Sequence, residues 1–186
     1  MNFEMMLAFH AGPALAGIKP SSMVSCGYEE IEQLQQRLSV MNACMNKKGI
    51  ILRPIKRLQS RILVLVYRYD KLKEAVFKKE NLEYLNSQGY PVNEGLENVL
   101  CYLEERLQDS CNFPHEIGIF LGYPLDDVLG FVNNQGKDCL LAGCWKVYSE
   151  PEKAQVLFNR YERCRNCLCR KIKQGESIID VFGCAA

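Results

Sequence analysis

Ile62-Leu63-Val64-Leu65-Val66-Tyr67 is the longest continuous apolar run in the chain, and its reading decides the fold class. Six apolar residues in succession between Arg61 and Arg68 read as a strand with no solvent face. That is the mark of a central strand covered by helices on both sides. The strand is expected over 61–69. Just before it, Ile50 to Arg53 reads as a second strand, and Pro54 imposes a kink, bulge or edge at its end.

Elements on either side follow from periodicity and punctuation. Tyr28 to Asn46 is an amphipathic helix with Ile31, Leu34, Leu38, Met41 and Met45 on one face. Lys47 and Lys48 suit its C-terminus and Gly49 its cap. Residues 3–10 form a short apolar helix ended by Gly12-Pro13, and a loop through Lys19-Pro20-Ser21-Ser22 leads to a strand at Met23 to Cys26. Beyond the central strand, Lys71 to Phe77, Leu82 to Ser87 and Glu94 to Gln108 are helical, with a turn at Gly89-Tyr90-Pro91. Ile117 to Leu121 reads as a strand, followed by a helix opened by Pro124 whose positive end suits Asp126 and Asp127. Asn133 to Gly136 breaks the pattern, and Trp145 to Tyr148 is the last strand. Ser149-Glu150-Pro151-Glu152 has capping-box spacing and opens the longest helix, about 151–174. The expected fold is one α/β domain over 1–186, with mixed α+β open: a mixed sheet of about five strands with helices packed on it.

Composition narrows the function classes. A chain of 186 residues buries enough surface to fold without a disulfide or metal. A net charge of +1 gives no global pull toward nucleic acid or anionic lipid. No apolar run approaches the ~20 residues of a membrane span. The N-terminal stretch lacks a basic region and is interrupted by Glu4 and His10, unlike a secretory signal. The expected location is the cytoplasm, with the ten cysteines reduced. Charge is segregated along the chain. Residues 46–73 carry nine bases against Asp70, residues 80–127 carry ten acids against Arg106, and residues 160–173 carry six bases against Glu162. Acidic and basic segments pairing across the fold is the plain expectation; a basic face for a phosphate-bearing ligand or an acidic protein is the functional one.

Two blocks stand out: Phe9-His10-Ala11-Gly12-Pro13-Ala14-Leu15-Ala16-Gly17-Ile18-Lys19-Pro20 leading to Ser25-Cys26, and His115 to Phe131 followed by Gly143-Cys144-Trp145-Lys146-Val147-Tyr148, with Ala154, Phe158, Tyr161 and Cys164 downstream. On these residues the chain resembles the family catalogued as domain of unknown function 3793, small single-domain proteins of anaerobic Gram-positive bacteria. The resemblance spans essentially the whole chain. It implies no established activity. It does imply a link to iron or redox physiology, through genes for flavodoxins and ferrous-iron uptake found near such proteins. Ala11 departs from the family pattern, which has cysteine there, so no thiol-dependent site is expected at that place.

The candidate chemistry lies in the same blocks. His115 with Glu116, placed where a strand end meets a helix N-terminus, suits a general base or a ligand-binding group; the plain alternative is a histidine that fixes a loop. Cys26 paired with His115 is a bare nucleophile–base coincidence. Trp145, Lys146 and Tyr123 suit stacking on a planar ligand, or simply a core. No Walker or GxGxxG pattern occurs. Cys164-Arg165-Asn166-Cys167-Leu168-Cys169 resembles a metal motif, but on one helix Cys164 and Cys167 fall near the apolar stripe and Cys169 is expected to point away, so three thiolates do not surround one ion. The leading expectation is an accessory protein that binds a small ligand or an acidic partner such as a flavodoxin. His10, Lys19, Cys26, His115, Glu116, Tyr123, Asp127, Trp145 and Lys146 are its candidate residues, and no cofactor, metal, membrane or nucleic acid is assigned. The alternative is an enzyme with His115 as acid–base and Lys19 or Lys146 as anion anchor.

Overall fold

The computed structural model describes residues 2–27, 31–109 and 113–183, with the backbone alone at 31–33. The expected helix start at Tyr28, the place of Ile31 on that helix, Cys111 and Cys184 lie outside the described residues. The chain packs as two compact units, one of residues 1–72 with 163–186, the other of residues 73–162.

The first unit is built on the central strand. β1 (Ser21–Gly27), β2 (Ile50–Arg57) and β3 (Arg61–Arg68) form an antiparallel sheet in the order β1-β3-β2. β3 is central as its apolar run demands: Ile62, Val64 and Val66 enter one core, and Leu65 and Tyr67 on the opposite face are buried too. α1 (Phe3–Leu15) and α2 (Ile31–Met45) supply Leu7, Ala11, Leu15, Leu34, Leu38 and Met45 to that core. The register shifts between Pro54 and Lys56, so β2 continues to Arg57 through a bulge rather than stopping at Arg53. Asn42 of α2 clasps this strand, its Nδ2 donating to Leu52 O at 2.9 Å and its Oδ1 accepting from Leu52 N at 2.8 Å.

α1 runs through Gly12-Pro13 and ends at Leu15, five residues beyond the expected stop. Burial outweighs the proline: Ala11 to Leu15 are all buried, and Gly12 packs beside Arg165 and Leu168 of α8 (Pro151–Lys173), where a Cβ would make only ordinary contact. Arg68 closes the end of α1, with Nε and Nη2 donating to Leu15 O at 3.0 and 2.6 Å. The last part of α8 lies in this unit, as does α9 (Ile178–Phe182), which opens on a capping box of Ser177 and Asp180.

The second unit holds α4 (Lys79–Ser87), α5 (Leu96–Gln108), α6 (Ile117–Phe120), α7 (Leu125–Asn133), a two-stranded hairpin of β4 (Leu141–Ala142) and β5 (Lys146–Val147), and the first half of α8. α3 (Tyr69–Val76) leads into it. The five-stranded sheet expected from the sequence is therefore replaced by one sheet of three strands and one of two. The strand expected at Ile117–Leu121 is a helical turn, with Gly118, Ile119 and Leu121 amides donating to His115, Glu116 and Ile117 carbonyls. A five-residue apolar run carries no period that separates strand from helix. Among the described residues no helix is long and apolar enough to cross a membrane.

Candidate functional site

The second unit is organised around Asp127. This residue sits in the first turn of α7, where a carboxylate is favoured, yet its side chain is 2% exposed and turned toward the hairpin. Oδ2 accepts from the Trp145 indole at 2.7 Å. Oδ1 accepts from Tyr148 N at 2.7 Å, Ser149 N at 2.9 Å and the Ser149 hydroxyl at 2.9 Å. Four donors satisfy the buried charge and tie α7 to the segment that opens α8. Gly130 makes this approach possible, since a Cβ there would fall 2.5 Å from the Tyr148 Cβ.

Trp145 completes the anchor. It stacks on Tyr123 with centroids 4.9 Å apart and meets Phe158 edge-on at 4.6 Å. Gly143 yields the room, because a Cβ there would lie 2.2 Å from the Phe158 ring. The Tyr123 hydroxyl reaches Cys144 O at 3.4 Å, and burial pushes its pKa up to about 12. Tyr123 and Trp145 thus stack on each other.

Glu116 is tied up separately. At 3% exposure it pairs with the Arg106 guanidinium at 2.8 Å and accepts from the Tyr90 hydroxyl at 3.0 Å. Burial first, and the Glu116 carboxylate next, push the Tyr90 phenol far above its ordinary range. Sequence reasoning missed Arg106 and Tyr90, although Arg106 was marked as the one base in an acidic span.

His115 stands on the surface between two rings, its centroid 5.1 Å from Phe131 and 5.9 Å from Phe113. Phe113 is 51% exposed. Lys146 lies with Nζ 6.0 Å from the Phe131 centroid and donates to Gly136 O. Gly136, at φ 72°, turns the chain where a Cβ would meet the Phe131 ring at 3.0 Å. Exposed Phe113, His115 and Lys146 therefore gather around the half-buried Phe131 ring as one aromatic and basic patch. The two phenylalanines were not singled out from sequence, where nothing but proximity to His115 marks them. Because Ile117–Leu121 is helical, the strand-end argument that nominated His115 falls away.

The remaining candidates belong to the first unit. His10 is exposed on α1 beside Phe9, and burial, then the Arg165 charge, lower its pKa. Lys19 follows α1 in a turn where its amide donates to Pro13 O at 3.1 Å. Cys26 is 1% exposed within the core. An open groove of about 670 Å³ in this unit, lined by Phe3, Arg37, Val40 and Met41 among others, contains none of the candidates. On α8 Cys169 packs against the core and Cys167 is exposed, the reverse of the expected orientation. The buried face of this half of the helix is set by Leu168 and Ile172 within the core of the first unit, and Cys169, three residues before Ile172, falls on that side. Among the described residues no three His, Cys, Asp or Glu side chains converge to hold a metal.

Comparison with known proteins gives a match to the family model described as "Protein of unknown function (DUF3793)", over residues 7–182. No curated protein matches the chain. No solved structure matches it.

Proposed function

The chain belongs to the DUF3793 family of proteins of unknown function, and we propose that it is an accessory protein that binds a partner through the patch of Phe113, His115, Phe131 and Lys146. One observation carries the reading. The buried carboxylates of the second unit, Asp127 and Glu116, are spent on internal contacts, whereas the exposed His115 imidazole and Lys146 side chain lie beside the half-buried Phe131 ring, with exposed Phe113 next to His115. An ammonium and an imidazole bordering aromatic surface suit an anionic, partly apolar face. An acidic cytoplasmic protein of the flavodoxin class fits that chemistry and would place the chain in iron or redox metabolism.

Calorimetric titration with a flavodoxin tests the proposal. We expect saturable binding that weakens with salt and falls about tenfold or more in Lys146→Glu and in Phe113→Ala, as for an anchor within an interface. Equal affinity in wild type and both variants, or no binding at low salt, would remove it. The enzymatic reading of His115 has less support, because among the described residues the exposed imidazole is flanked by the Phe113 and Phe131 rings.

A further inference from the structure

The whole-chain charge of +1 conceals a division. The first unit, residues 1–72 and 163–186, holds fifteen Lys and Arg against seven Asp and Glu. One element concentrates that excess. From Arg163 to Lys173, about the last three turns of α8, there are five bases and no acid. Two of the five are engaged: Lys171 pairs with Glu176 at 2.9 Å, and half-buried Arg165 lies over the Phe9 ring with Cζ 5.6 Å from its centroid. Arg163, Arg170 and Lys173 are exposed. At about 100° per residue Arg163 and Arg170 share one face, Lys173 borders it, and exposed Asn166 and Cys167 lie between them. Leu168 and Ile172 hold the opposite side in the core. The helix dipole accounts for cations in the last turn, Arg170 and Lys173, but not for Arg163 about two turns earlier.

This face carries no carboxylate, no aromatic ring and no aliphatic side chain. Each anionic occupant makes a different demand. A protein interface is built around an apolar or aromatic centre, which is missing here. A membrane-bound helix sends apolar side chains into the acyl boundary, and none is present. Single-stranded nucleic acid stacks its bases on rings. The phosphate groups of a duplex need only cations and amide donors in line. Arg163 to Lys173 runs about 15 Å along the helix axis, the reach of three phosphates on one strand.

We infer that the exposed face of Arg163, Arg170 and Lys173 on α8 binds the phosphate backbone of a nucleic-acid duplex without reading its sequence. The site is independent of the patch on the other unit, whose binding is read with a different ligand. Fluorescence anisotropy of the full chain with labelled duplexes of two unrelated sequences, each as DNA and as RNA, tests it. The two sequences should bind equally, and the tighter of the two duplex types names the source of the backbone. For DNA the log–log salt slope should be about −2.7, three phosphates at about −0.9 each, so affinity falls about 40-fold between 50 and 200 mM salt. Arg163→Gln, Arg170→Gln and Lys173→Gln should each reduce the slope by about 0.9, and Lys79→Gln, exposed on α4, should leave it unchanged. No binding to either duplex at 50 mM salt, a slope that survives the three substitutions, or an equal loss in Lys79→Gln would overturn the site. So would displacement of the duplex by polyglutamate or by phosphatidylglycerol vesicles at equal charge concentration, which would assign the face to an acidic protein or a membrane. The substitutions are exposed and polar, so far-UV circular dichroism should stay unchanged.

Discussion

Replacing Asp127 with Ala strips the Trp145 indole, two backbone amides and the Ser149 hydroxyl of their common acceptor. Hydrogen bonds to a charged group contribute about 1.5–3 kcal/mol each and do not add, so we expect a loss of roughly 3–5 kcal/mol in urea unfolding. Trp145 is the only tryptophan, and its fluorescence follows the transition. A loss below about 1 kcal/mol would mean that the stranded donors find water at little cost. His10 gives a second residue-level expectation. Burial and Arg165 lower its pKa, so the folded chain takes up that proton less readily than the unfolded one. The associated stability is present above about pH 6.5 and is lost as pH falls through the folded value. A proton NMR titration, with His115→Gln removing the other imidazole signal, should show His10 titrating below the ordinary value and moving upward in Arg165→Ala. A His10 midpoint at or above the ordinary value would refute this. At this scale the sequence marked Asp127 as a helix-start acid, but its donors lie 18–22 residues away and only packing brings them to it.

Ser177 and Asp180 make α9 a local structure with a local test. Ser177→Ala should cost about 1 kcal/mol and speed hydrogen exchange at the amides of Ile178–Phe182. The Ser177 amide and hydroxyl hold the Asp180 carboxyl below its usual range, so the cap is intact above about pH 4 and opens as pH falls through the lowered value. Exchange rates indifferent to both changes would show that packing alone holds the helix. No helix is legible here from sequence, because five residues show too little period to announce one. Long elements were readable for the opposite reason: α5 and α8 repeat their apolar positions over several turns, and β3 is apolar throughout. Errors fell where a rule about one residue met a tertiary contact. Pro13 should stop α1, but the buried run of Ala11 to Leu15 keeps it helical. Ile117–Leu121 is too short for its composition to choose, and Gly118, where a Cβ would lie 2.7 Å from Val128, lets this turn pack closely on α7.

For the molecule as a whole, no disulfide joins the cysteines among the described residues, Cys26, Cys44, Cys101, Cys139, Cys144, Cys164, Cys167 and Cys169. Thermal melts with and without reductant should superimpose. A structural disulfide would contribute about 2–4 kcal/mol, and its reduction would lower Tm by several degrees. The patch that supports the proposed binding role became visible only in three dimensions, since Phe113, His115, Phe131 and Lys146 are spread over 34 positions of sequence. The clasp of Asn42 on β2 reaches beyond the fold itself. Along the outer border of that strand Leu52 spends both its donor and its acceptor on the Asn42 amide, and Pro54, two residues on and facing the same way, has no N–H to offer. A stray extended segment arriving from another chain finds no ladder to join over this stretch, and the cations Arg53, Lys56 and Arg57 repel copies of themselves. The side chain that fastens a helix to a sheet thereby also keeps one molecule's sheet from growing onto the next in a crowded solution.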